Sequence, residues 1–265
     1  MTPKPTLRLK GRDRMTICIG ILASDGIVIA ADAEENDTYF KVSQQKIMTW
    51  HTSSSEGHGP HPAAYVIAGA GNGGFVDSFV DELWSGVSGE MTMLEFKKYA
   101  AKTLERFYIK HVRPLVTVSE QNDFSVIIGA YFGFGVELLV SHRSTLRRVQ
   151  APVTAIGIGA QYALSRIENY PFSDVRHSEV TAASVLYSTK DCIDGCGKYT
   201  DIVSIHPPKI TGGERGESSC LEHPSQLWTR VPSETVARWE SNFSRAWRES
   251  QLKLYSTLIE EELKQ

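Results

Sequence analysis

The stretch from Thr16 to Asp32, TICIGILASDGIVIAAD, constrains this chain more than any other. Two apolar runs, 17–23 and 27–31, are rich in β-branched residues and are separated by Ser24-Asp25-Gly26, a pattern that reads as a tight β-hairpin. Both strands fold back from one turn, so Thr16 and Asp32 are expected side by side at its open end. A hydroxyl nucleophile and a carboxylate can cooperate there.

The chain has 265 residues, 41% hydrophobic and 22% charged, enough for one large domain with one substantial core. A net charge of −3 gives no electrostatic footprint for nucleic acid or a polybasic membrane surface. No apolar run is long enough to span a bilayer, and the basic, proline-containing residues 1–15 lack the apolar segment of a signal peptide. They read as a leader or arm. Cys18, Cys192, Cys196 and Cys220 match no zinc spacing, so the expectation is a reduced, cytoplasmic protein without metal or cofactor.

Beyond the hairpin, residues 46–50 form a short strand candidate, a Ser/Gly/Pro-rich loop follows, and 63–68 reads as a buried strand running into the glycine-rich turn 69–74. Apolar residues then recur at helical spacing over 75–87 and 93–112, with Pro114 limiting the second helix. The order repeats: strands over 124–131 and 136–141, with 146–149 and 153–156 extending the sheet, then helices from Gly157 through Ile167 and over 180–193, then a strand over 200–205. Strands, two helices, strands, two helices and a strand imply an α+β fold, a four-layer αββα sandwich of two sheets packed face to face between helix pairs. The expected organisation is a leader over 1–15, the sandwich over 16–206, an irregular connector over 207–231 and a C-terminal helical extension over 232–265. In that helix Ser233 stands at the N-cap position, and Val236, Trp239, Phe243, Trp247 and Leu252 mark a face that buries against its own domain or a neighbouring subunit.

Taken together, these residues resemble the proteasome β-type peptidases of the N-terminal-nucleophile hydrolases, including the bacterial Anbu-type homologues. The resemblance rests on Thr16-Ile17-Cys18-Ile19-Gly20, Asp25 through Asp32, Lys46-Ile47, Ile67-Ala68-Gly69 and Gly157-Ile158-Gly159, in that order, and covers roughly 16–205. It implies a threonine-type peptidase or amide hydrolase acting on peptides or unfolded chains, working in a homo-oligomer or ring. Thr16 is then the nucleophile, Asp32 and Lys46 an ion pair beside it, Gly69 an oxyanion donor and Asp191 a further carboxylate of the site. A threonine hydroxyl needs a base at neutral pH, and in this arrangement the base is the threonine's own α-amine, with an ordinary pKa of roughly 7.7–8.0. Lys46 lowers that pKa as a like charge, and Asp32 holds Lys46 in place. Gly69 lets its backbone N–H approach a substrate carbonyl closely.

Each residue also has a plainer reading: Thr16 begins a strand, Asp32 ends one, Lys46 precedes one, and Gly69 allows a sharp turn. The chain departs from the family pattern at Ile158 and Asp194, where the resemblance calls for serines. The nucleophile's amine exists only once Thr16 is N-terminal. The Met15-Thr16 junction suggests translation from Met15 followed by removal of that methionine. The alternative function is a structural or binding subunit that keeps the fold without the chemistry.

Overall fold

The computed structural model describes residues 16–33, 35–36, 41–42, 46–51, 63–116, 123–132, 135–167, 173–193, 196–207 and 227–262, with 35–36, 41–42 and 251–262 described by backbone alone. The opening hairpin pairs β1 (Ile17–Ala23) with β2 (Gly26–Asp32) in a register that sets Ala23 opposite Gly26. The turn is therefore the two residues Ser24 and Asp25, one fewer than the Ser-Asp-Gly pattern suggests. Two short strands follow, β3 (Glu35–Asn36) and β4 (Lys41–Val42), paired with each other, and then β5 (Ile47–His51) and β6 (Ala63–Gly71).

Helix α1 (Gly73–Trp84) starts at Asn72, whose side chain accepts the Phe75 N–H, and α2 (Met93–Phe107) starts with a capping box between Thr92 and Glu95. A π-helical turn, Tyr108–Val112, joins α2 to the short α3 (Arg113–Val116), so Pro114 lies inside the helical segment rather than beyond its end. A proline ring clashes with the carbonyl four residues earlier and brings no N–H of its own. The wider turn, in which Arg113 N–H bonds back to the Tyr108 carbonyl, makes room for it.

Four more strands follow: β7 (Phe124–Phe132), β8 (Gly135–His142), β9 (Thr145–Arg148) and β10 (Val153–Gly157). After them come α4 (Ala160–Ile167), α5 (Val175–Cys192), β11 (Thr200–Ile205), β12 (Trp228–Arg230) and α6 (Ser233–Glu262). One antiparallel sheet has the order β10-β1-β2-β11-β12, the other β5-β6-β7-β8-β9. β10 thus leaves the sheet it follows in sequence and pairs with β1. Pro152 ends the preceding run, and its carbonyl accepts the Leu22 N–H.

Side-chain alternation along the hairpin builds two of the three core layers. Ile17, Ile19, Ile21, Val28 and Ala30 face α4, α5 and the first turns of α6, whereas Cys18, Ile27, Ile29 and Ala31 face Ala64, Val66 and Ala68 of the second sheet. On that sheet's far side Tyr65, Ile67, Phe124 and Phe132 pack against Phe79, Phe96, Leu104 and Phe107 of α1 and α2. These are the four layers expected from the order of elements.

Inside the 207–231 stretch expected to be an irregular connector, β12 completes the first sheet's edge, and Arg230 bonds Asp201 and the Ile47 carbonyl, bridging the two sheets; residues 208–226 lie outside the described residues. The helix that follows docks through Val236, Trp239 and Phe243 on its own domain. Its first backbone acceptor is the Pro232 carbonyl, so Ser233 is the first helical residue rather than the cap. Among the described residues no helix is long and apolar enough to cross a membrane.

Candidate active site

The hairpin delivers Thr16 and Asp32 to one place, as its geometry requires. Thr16 is one residue before β1 and buried, and Asp32, the last residue of β2, is fully buried. Asp32 is held by the backbone: Oδ1 accepts the Ile17 N–H at 2.9 Å and Oδ2 the Gly197 N–H at 2.6 Å. Two amide donors on opposite oxygens fix the carboxylate's plane.

Lys46 enters from the second sheet. β5 pairs with β6 in a register that sets Ile47 opposite Ala68, and one step further along Lys46 stands opposite Gly69. From there its Nζ reaches Asp32 Oδ1 at 3.1 Å and Thr16 Oγ1 at 3.0 Å. The lysine side chain is 10% exposed and the aspartate side chain 0%, so the pair acts in a poorly solvated place where its field is strong.

Gly69 is fixed from two sides. Its carbonyl accepts a bond from Cys18 Sγ at 3.3 Å, and a side chain there would collide with Val76 of α1. Only glycine lets the strand pass so close to that helix.

The 157–159 motif clamps the backbone of Thr16. Gly157 has φ +94°, and a Cβ on it would strike the Thr16 carbonyl oxygen. That carbonyl accepts the Ile158 N–H at 3.0 Å, leaving the Ile158 side chain partly exposed.

Asp191 is not brought to this cluster. It lies on the last turn of α5, where the helical phase buries Val185, Leu186 and Thr189 and leaves Asp191 exposed, lining a surface groove with Tyr162, Cys192, Phe243 and Trp247. Among the described residues it has no hydrogen bond to Thr16, Asp32 or Lys46. Asp194, where the resemblance calls for a serine, lies outside the described residues, as does Gln44, whose place in the chain makes it a candidate pocket wall. Met48, the second such wall residue, packs toward the α1 and α2 layer instead.

Two cysteines border the site. Burial, then the Asp32 charge, pushes the Cys18 thiol far above its ordinary range, and the same causes push Cys196 up to about 12, against the opposing pull of Lys46. Shifted up in this way, both stay thiols at neutral pH and are poor nucleophiles. Sequence reading missed Gly197 as the second donor to Asp32. Its position depends on β11 pairing Thr200 with Asp32, and a glycine after a helix gives no local signal of such a role.

A charged ammonium beside a buried hydroxyl, backed by an anchored carboxylate, can stabilise an alkoxide at Thr16 Oγ1. Among the described residues no group of His, Cys, Asp and Glu is arranged to hold a metal ion. No protein-family model matches the sequence, and no curated protein matches it.

Solved structures do match. An Anbu mutant from Hyphomicrobium sp. strain MC1 aligns with a TM-score of 0.67 over 91% of this chain and 96% of its own, at 14% identity. Anbu, described as an ancestral beta-subunit, from Yersinia bercovieri aligns at 0.66 over 91% and 96%, at 14% identity. The Anbu complex of Pseudomonas aeruginosa, solved as a helical assembly, aligns at 0.66 over 92% and 96%, at 17% identity. At such identities the likeness is one of fold: this chain has the Anbu fold, the proteasome-like architecture of N-terminal-nucleophile hydrolases.

Proposed function

We propose that the protein is a threonine-type amide hydrolase whose nucleophile is Thr16, acting on peptides or unfolded chains within a homo-oligomer in the cytoplasm. The observation that carries this reading is the single ammonium of Lys46, 3.0 Å from Thr16 Oγ1 and 3.1 Å from the buried Asp32 carboxylate. Once the residues before Thr16 are removed, its free α-amine takes the Oγ1 proton. The oxygen attacks the scissile carbonyl, and the resulting oxyanion is stabilised by the Gly69 N–H. The amine then passes the proton to the leaving nitrogen, an ester forms on Thr16, and the same amine activates the water that hydrolyses it. Lys46 stabilises negative charge on Oγ1, and Asp32 positions Lys46.

Two further features support an assembly. The Pseudomonas aeruginosa Anbu forms a helical one, and here the outer surface of the α1–α3 segment leaves Trp84, Leu94, Ile109 and Leu115 exposed.

The test combines N-terminal sequencing of protein from its natural host with a peptide epoxyketone probe, whose warhead needs both a hydroxyl and a free amine on one residue. The expected outcome is a chain beginning at Thr16 that takes one probe per site, with labelling lost in Thr16→Ala. Retention of residues 1–15 in the native protein would exclude the proposed chemistry. Ile158, standing where the resemblance calls for a hydroxyl beside the amine, favours a second reading as a non-catalytic scaffold subunit. A chain that starts at Thr16 and still takes no probe supports that reading.

A further inference from the structure

The Gly197 N–H that holds Asp32 belongs to a short segment, 196–199, between the end of α5 and the start of β11. That segment is itself tethered from outside. Lys190, on the last turn of α5, donates to the Lys198 carbonyl at 2.9 Å and to Thr200 Oγ1 at 2.7 Å. Its third partner is Glu240 Oε1 at 2.6 Å, and Thr200 Oγ1 donates to that same oxygen at 2.6 Å. The lysine side chain is 9% exposed and the glutamate 17%, so the pair is largely withdrawn from water. Glu240 comes from α6, on the turn between the docked residues Trp239 and Phe243.

We infer that Glu240 is a positioning residue for the site: through Lys190 and Thr200 it fixes the 196–199 segment, and through the Gly197 N–H it fixes the Asp32 carboxylate that orients Lys46. The inference rests on the proposed hydrolase reading for its functional part. Its physical basis is the geometry of Lys190, an ammonium with three donors spent on three fixed acceptors. With the glutamate removed, the ammonium is left poorly solvated and turns toward water. The Lys198 carbonyl and Thr200 hydroxyl then lose their common anchor, and the segment carrying Gly197 loosens. The connection runs from a helix outside the sheets to the one side chain that aligns the site's cation.

Hydrogen exchange of the Gly197 amide, compared in the full-length wild type, Glu240→Ala and Glu240→Gln, tests the tether without any need for turnover. A bond to a charged group that is lost corresponds to a rise in exchange of roughly tenfold or more. Glu240→Ala is expected to show that rise at Gly197 while β6 and β7 amides exchange as in wild type. Glu240→Gln, which keeps an acceptor, is expected to restore most of the protection. With the peptide epoxyketone, and on chains that begin at Thr16, Glu240→Ala is expected to lower the maximal labelling rate while leaving the half-saturating probe concentration unchanged, since nothing in the tether meets the ligand.

Unchanged Gly197 exchange in a folded Glu240→Ala protein overturns the inference. Should that variant not fold, Lys190→Met cuts the same tether from the other end and is read by the same exchange criterion. A wild type that takes no probe counts against the hydrolase reading alone, and the exchange comparison still decides whether α6 positions Gly197.

Discussion

Lys46 bonds the hydroxyl of Thr16 and the carboxylate of Asp32 at once, which makes it the most informative side chain to remove. Lys46→Met keeps most of the stem but leaves Asp32 buried with only its two amide donors. Breaking a buried pair from one side costs about 3–5 kcal/mol, and the amide donors hold the expected loss near 3 kcal/mol, read as a shift in the urea midpoint. The same variant is expected to lose epoxyketone labelling, and unchanged labelling would contradict the role given to the ammonium. Gly157→Ala is a second sharp case: a positive φ and a Cβ that meets the Thr16 carbonyl predict a loss above 1 kcal/mol, roughly the least that an incompatible backbone costs, together with loss of labelling. With iodoacetamide at neutral pH the exposed Cys192 is expected to react, while Cys18 and Cys196, held as thiols, are spared; peptide mapping reads each site separately. Thr16 and Asp32 were legible in the sequence because one hairpin brings both to its open end, whereas Lys46, which enters from the other sheet, was expected there only through the family resemblance. The resemblance implies a place for Asp191 in the site, but the sequence does not set the phase of a helix's last turn, and in α5 that phase carries its side chain to solvent.

At the scale of elements, the α2 capping box offers a pH test. Glu95 accepts the Thr92 N–H at 2.8 Å, and those bonds hold its carboxyl below the usual range. A lowered folded-state pKa means that the contribution of the charged form is fully present above the unfolded glutamate pKa of about 4.3 and is lost as pH falls through the folded value. The Tm of Glu95→Gln is therefore expected below that of wild type near neutral pH, with the gap closing in acid. A gap that persists unchanged at low pH would show that the charge contributes nothing. Helices α1, α2 and α5 were readable from apolar spacing, although α5 starts at Val175, five residues before the spacing shows it. The π turn was not, because it answers a steric conflict at Pro114 that appears only once the helix continues past it. β12 was not readable either: three residues in a long polar stretch become a strand only because β11 offers them an edge and Arg230 finds Asp201.

For the whole molecule, the order of strands and helices was enough to give four layers, whereas the placement of β10 was not. Its partner is β1, more than a hundred residues earlier, and nothing local distinguishes that pairing from an extension of β7–β9. If the protein works as an assembly, light scattering of native material is expected to give a mass several times that of one chain; a monomer that turns over peptide would overturn that part of the proposal. The clamp on Thr16 bears on how such a molecule would be switched on. The Ile158 amide fixes the threonine's carbonyl, Asp32 holds the amide of the next residue, and Lys46 holds its hydroxyl, so none of these bonds draws on anything preceding Thr16. On the proposed reading, removing what precedes Thr16 adds a proton acceptor to a site that these bonds already hold in shape, so chains with and without residues 1–15 should melt together while only the shorter one reacts.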